Sequence, residues 1–145
     1  MITFVVGIPC CGKSSFIAEN FPNAKTIDVR DYQKKKILSV QDIVIGYEMA
    51  KEDLLKAAME GDVVMEHTLL KKSRRKEQID FLRNGGYTGE IHLIFINPPV
   101  KVIKKRMLMR NVCEDICSFL KMHCEILEMP TEEEGFTSIR IIEDY

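Results

Sequence analysis

The chain has 145 residues, 46% of them hydrophobic and 30% charged, with a formal net charge of −1. That length predicts a single domain, residues 1–145, whose core needs no disulfide or metal staple. The near-neutral charge argues against a broad basic face for long duplex nucleic acid, though not against binding a strand end, and no apolar run approaches the roughly 18 residues that span a membrane.

The first apolar run, Ile2-Thr3-Phe4-Val5-Val6, is too short for a signal peptide, so a cytoplasmic protein is expected. It is β-branched and unbroken, as in a buried parallel strand. Gly7-Ile8-Pro9-Cys10-Cys11-Gly12-Lys13-Ser14 follows and fits G-x-x-x-x-G-K-[ST], the Walker A or P-loop pattern, at every fixed position. Ser15–Glu19 is predicted to open a helix. A strand, a glycine-rich turn and a helix in that order aim backbone N–H groups and a helix N-terminus at a polyphosphate. Gly7, Pro9, Cys10, Cys11, Gly12, Lys13, Ser14 and Ser15 are therefore the expected nucleotide-binding residues, with Lys13 on the β- and γ-phosphates and the Ser14 hydroxyl on Mg²⁺.

Phe21-Pro22-Asn23 predicts a turn, and Ala24–Ile27 a short strand ending at Asp28. Asp31 is a candidate N-cap for a helix starting there. Lys34–Lys36 reads as a solvated helix face or a contact for an anionic substrate. From Asp42, residues Ile43, Tyr47, Ala50, Leu54, Leu55 and Ala58 recur at helical spacing until Gly61-Asp62. Val63-Val64-Met65 predicts a third strand leading into Glu66-His67-Thr68-Leu69. Ser73 is expected to cap a helix that ends at Asn84-Gly85-Gly86. Ile91–Ile96, almost wholly apolar, predicts a central fourth strand. Asn97-Pro98-Pro99 turns into a helix bearing Lys104, Lys105, Arg106 and Arg110, and a further helix is expected over Glu114–Glu128. A last strand is expected over Thr137–Ile142, after the acidic Glu132-Glu133-Glu134-Gly135 turn. The five cysteines read as reduced thiols, with Cys113 and Cys117 on one face of a helical core.

Strands alternating with helices predict an α/β fold built on a parallel sheet. Ligands of such sheets bind at the carboxyl ends of the strands. Three of those ends carry groups suited to phosphoryl transfer. The P-loop follows the first. Asp28 or Asp31, after the second, would orient an acceptor hydroxyl as a base. Glu66, after the third, would hold metal or grip the acceptor. Asp28, Arg30, Glu66 and Thr68 are the candidate acceptor contacts, and His67 is placed to touch substrate. Arg106 and Arg110 are four apart on one helix face, where they would meet charge on the transferring phosphoryl group.

These segments resemble the polynucleotide-kinase-like P-loop kinases. That family's loop has the form G-x-P-x-x-G-K-[ST]; here Cys10-Cys11 replaces the usual Gly-Ser. Its strand-end acid followed by Thr or Asn and Leu is similar to Glu66-His67-Thr68-Leu69. Its lid is similar to Pro99, Arg106 and Arg110. Glu128-Met129-Pro130 with Glu134-Gly135-Phe136 resembles a segment of eukaryotic-type polynucleotide kinase domains. The family's catalytic aspartate, aligned on Asp31-Tyr32-Gln33, falls on Arg30, which leaves Asp28 and Asp31 as substitutes. The resemblance implies a three-layer fold with about five strands in the order 2-3-1-4-5. It also implies an ATP- and Mg²⁺-dependent kinase acting on a hydroxyl, foremost the 5′-hydroxyl of a nucleic acid end. Zeta-toxin-type kinases, which phosphorylate a nucleotide-sugar, are a second resemblance through Glu66-His67-Thr68-Leu69 and Asn84-Gly85-Gly86-Tyr87. A small-molecule kinase and a nucleotide-binding module with little transfer are the alternatives. The sequence carries no signal of oligomeric state.

Overall fold

The computed structural model describes residues 1–33 and 39–145; the Lys34–Lys36 run lies outside the described residues. Five parallel strands, β1 (Ile2–Val6), β2 (Lys25–Asp28), β3 (Val63–His67), β4 (Ile91–Ile96) and β5 (Ser138–Ile142), form a sheet in the order β2-β3-β1-β4-β5. The fold class and strand order are those expected. Around the sheet lie α1 (Lys13–Asn20), α2 (Val40–Glu60), α3 (Lys72–Asn84), α4 (Val100–Arg110) and α5 (Ile116–Ile126). Short 3₁₀ turns cover Val29–Tyr32 and Glu132–Glu134.

The inner strands are apolar runs because helices cover both of their faces. Phe4, Val6, Met65 and Leu93 cluster with Leu54 and Ala57 of α2 and with Ile79 and Leu82 of α3. Val5, Val64 and Ile96 cluster with Phe16 and Ile17 of α1, Ile103 and Met107 of α4, and Leu120 of α5. Burying each such large side chain stabilises the fold by roughly 1.5–3 kcal/mol. All five residues of β1 are buried. β4 is interior, between β1 and β5, but β1 holds the middle of the sheet.

Four local expectations are corrected. Asp28, not Asp31, caps the turn after β2: its carboxylate accepts from the Arg30 backbone N–H at 2.9 Å. Ser73 lies inside α3, and Glu128 Oε2 accepts from Lys72 N at 3.1 Å, so a carboxylate distant in sequence serves the helix N-terminus. Cys113 precedes α5 and so shares no helix face with Cys117, which is exposed; Cys11 is the one buried cysteine. The last helix is also shorter than its apolar pattern, starting at Ile116 with Asp115 as its cap.

Arg75 is fully buried and ties two distant segments together. Nε and Nη2 donate to the Glu134 carboxylate at 2.6 and 2.8 Å. Nη1 donates to the carbonyls of Leu69 and Leu70, and Nη2 also to that of Glu128. All five guanidinium N–H groups thus find acceptors, the condition for burying such a charge. The clamp fixes the loop after β3 against the Glu128–Glu134 segment. No helix among the described residues is long and apolar enough to cross a membrane.

Candidate functional site

The P-loop bridges β1 and α1. Gly7 has φ 151°, and a Cβ there would lie 2.5 Å from the Ile96 carbonyl oxygen and 2.7 Å from Cys11 Sγ. Gly12 has φ 113°, and its Cβ would strike the Tyr145 ring at 2.8 Å. Both positions therefore need glycine. Cys10 takes φ 65° without being glycine, at a cost of roughly 1–2 kcal/mol. α1 begins at Lys13, so its free N–H groups face the loop. Burial pushes the Cys11 thiol above its ordinary range, more than the neighbouring Lys13 lowers it. Cys11 therefore packs as an uncharged side chain beneath the loop.

Lys13 folds over this loop, its Nζ donating to the Gly7 and Ile8 carbonyls at 3.0 and 3.1 Å. Ser14 Oγ donates to Glu66 Oε1 at 2.9 Å. Parallel pairing sets Asp28 opposite Glu66, and Glu66 opposite Val5 of β1. Two carboxylates and the P-loop serine therefore meet at neighbouring strand ends. Arg30 joins all three: Nη2 donates to Ser14 Oγ and to Glu66 Oε1, each at 3.0 Å, and Nε donates to both Asp28 oxygens. Burial pushes the Asp28 carboxyl up, but its hydrogen bonds with Arg30 outweigh that and hold it below the usual carboxylate range.

A cleft of about 380 Å³ opens over these groups. Pro9, Cys10, Gly12, Lys13, Ser14, Ser15, Asp28, Arg30, Glu66, Thr68 and Arg110 all line it. Gly7 and Cys11 lie beneath it as buried shaping residues. Asp31 is exposed and is not among the lining residues. Arg106 anchors the loop from outside, with Nη1 donating to the Cys11 carbonyl and Nη2 to the Tyr145 carbonyl, both at 2.7 Å. Arg110, one turn on, lines both the cleft and a neighbouring hollow formed by Gly12, Ser15, Arg106 and Tyr145.

A second groove, of about 410 Å³, continues from the cleft past Tyr47, His67 and Thr68 toward Lys71, Arg74 and Gln78. Tyr47 stacks on His67 with ring centroids 5.3 Å apart. Burial, and next the Lys13 cation, lowers the His67 pKa to about 4. Its Nδ1 accepts from the Thr68 backbone N–H at 2.8 Å, so the proton of the neutral ring sits on Nε2. Among the described residues, Gln33 Nε2 and Gln78 Oε1 are buried polar atoms without a hydrogen-bond partner; the two residues line the cleft and the groove respectively. Sequence reading gave Gln33, Gln78 and Tyr145 no site role; the fold brings Gln33 to the cleft, Tyr145 against Gly12 of the P-loop and Gln78 to the second groove. Tyr47 read simply as one apolar position of a helix.

The donor set suits a hard divalent cation, which takes oxygen ligands. Ser14 Oγ and Glu66 Oε1 supply two adjacent oxygens, and a positive group, Arg30, already lies beside them. The Gly7–Ser14 loop suits a polyphosphate because two of its glycines hold conformations that keep the backbone open.

No family model matches the chain, and no curated protein matches it by sequence. Solved structures do match. A gluconokinase from Sinorhizobium meliloti superposes with TM-score 0.68 at 24% identity, over 97% of this chain and 81% of that one. A structure of the PezAT toxin–antitoxin system of Streptococcus pneumoniae gives TM-score 0.66 at 20% identity, over 99% and 66%. A Pnkp1/Rnl/Hen1 RNA repair complex gives TM-score 0.72 at 16% identity, over 87% of this chain and 43% of that one. At these identities the likeness establishes the fold, a P-loop kinase-like α/β architecture.

Proposed function

We propose that the chain is an ATP-dependent kinase that transfers the γ-phosphoryl group to a hydroxyl, foremost the 5′-hydroxyl of a nucleic acid end. The observation that carries this reading is the convergence of Ser14, Glu66 and Asp28 in one cleft beside the P-loop lysine. Lys13 and the Gly7–Ser14 backbone bind the phosphates of the donor. Ser14 and Glu66 are the residues that would hold Mg²⁺, which when bound neutralises phosphate charge. Asp28 orients the acceptor hydroxyl and takes its proton while the acceptor oxygen bonds to the γ-phosphorus. The bond from that phosphorus to the bridging oxygen breaks, and ADP leaves. Arg110, reaching the cleft from α4, meets charge on the transferring group, and Arg106 holds the loop in shape.

Two features support a nucleic acid end as acceptor. The stacked Tyr47–His67 pair forms an aromatic platform where the cleft meets the second groove, suited to a base. Lys71 and Arg74 lie along that groove, suited to a backbone phosphate. A small-molecule acceptor is the second reading. The net charge of −1 and the fold likeness to a gluconokinase favour it. A binding module with little transfer is the third, favoured by the engagement of Asp28 by Arg30.

Labelled ATP offered with a panel of 5′-hydroxyl oligonucleotides, nucleosides, a nucleotide-sugar and gluconate separates these readings. Label on the oligonucleotide 5′ end is the expected result. Label only on a small molecule would replace the first reading with the second, and ATP binding without transfer to any acceptor would favour the third.

A further inference from the structure

Arg30 has no task in the reaction just described, yet it makes the most connected set of contacts in the cleft. Its Nη2 stands 3.0 Å from Ser14 Oγ and 3.0 Å from Glu66 Oε1, and its Nε lies 3.0 and 2.9 Å from the two Asp28 oxygens. Its side chain is 63% exposed, whereas those of Asp28 and Glu66 are 18% and 8% exposed. Asp28 and Glu66 are paired positions on adjacent strands, whose backbones run about 4.8 Å apart. Two carboxylates so close and so little hydrated repel each other unless a cation stands between them. That cation is Arg30, and it contacts the same two oxygens, on Ser14 and Glu66, that suit a divalent metal.

We propose that Arg30 is a built-in counter-cation for this site. Without metal, its guanidinium neutralises Glu66 and Asp28 and turns its remaining N–H groups toward the phosphates of a bound nucleotide. When a divalent cation takes Ser14 and Glu66, the exposed Arg30 side chain swings out and Asp28 is released to meet the acceptor. Arg30 is thus a positioning residue that couples cation loading on the donor side to the freeing of a carboxylate on the acceptor side. An arginine suits this exchange because its planar fork grips a carboxylate or a phosphate equally well. The inference rests on the P-loop being a nucleotide site, as proposed above.

The test is calorimetric titration of ATP into the full chain, once with excess EDTA and once with excess Mg²⁺, for the native protein and for Arg30→Gln. Since Arg30 is exposed, the substitution spares the core. The native protein is expected to bind metal-free ATP within about tenfold of its affinity with Mg²⁺; Arg30→Gln should raise that ratio by about tenfold or more, the worth of one charge-assisted hydrogen bond. Arg30→Lys, which keeps the charge and loses the fork, should fall between. A ratio that Arg30→Gln leaves unchanged overturns the inference, as does a native protein that binds ATP with Mg²⁺ alone. Either result leaves the nucleotide reading standing as long as Lys13→Ala removes binding. No ATP binding by the native protein under either condition removes both.

Discussion

The P-loop side of the cleft, the proposed phosphate side, is held by backbone and buried residues, whereas the proposed acceptor side, at the ends of β2 and β3, is held by side chains with more than one possible partner. On the first side, Gly7 and Gly12 have no room for a side chain, and Lys13 lies buried against two carbonyls of its own loop. Backbone conformation and burial therefore shape this side of the cleft. On the second side, Asp28 is bound up with an exposed arginine, and among the described residues Gln33 and Gln78 have buried polar atoms without partners. Leaving such atoms unpaired costs roughly 1–3 kcal/mol each. The contrast teaches that backbone and burial shape one side of the cleft while exchangeable side-chain contacts shape the other.

Three substitutions probe this contrast. Lys13→Ala strikes the preformed side and should lower phosphoryl transfer to every acceptor by roughly a thousandfold; measurable transfer near the native rate would break the donor assignment. Arg75→Met strikes the scaffold beneath the acceptor side. It leaves Glu134 buried without its partner and should cost about 3–5 kcal/mol of stability in urea unfolding. Adding Glu134→Leu should recover much of that loss, and no recovery would mean that the segment is held by something else.

His67→Gln tests the boundary between the two sides through pH. The unfolded chain takes up a proton on His67 near pH 6.5 and the folded chain near pH 4, so between these values unfolding binds a proton and stability falls as pH falls. Native protein should lose on the order of 2 kcal/mol between pH 7 and pH 4.5 that His67→Gln keeps. Equal pH slopes in the two proteins would show that the ring is not shielded.

The phosphate side was legible in the sequence because its determinants are contiguous. One strand, one turn and one helix carry them, and their spacing alone fixes their geometry. The strand order came with the family resemblance. The acceptor side was legible only in part. Asp28 and Glu66 could be found from strand ends, but their pairing across β2 and β3 depends on sheet register. Asp31, the other candidate base in the sequence, is exposed on the turn that follows β2. Nothing local marks Arg75 in the sequence, since its partner Glu134 is 59 positions away. Ser73 read as a helix cap because local propensity could not foresee Glu128.

The most direct measurement is the rate of label transfer from ATP to a 5′-hydroxyl oligonucleotide by the native protein, Asp28→Asn and Asp31→Asn. The account predicts end-labelled product from the native protein, a loss of about a hundredfold or more for Asp28→Asn, and a rate within about threefold of native for Asp31→Asn. Native protein that binds ATP but labels no hydroxyl, or an Asp28→Asn variant as fast as native, would contradict it.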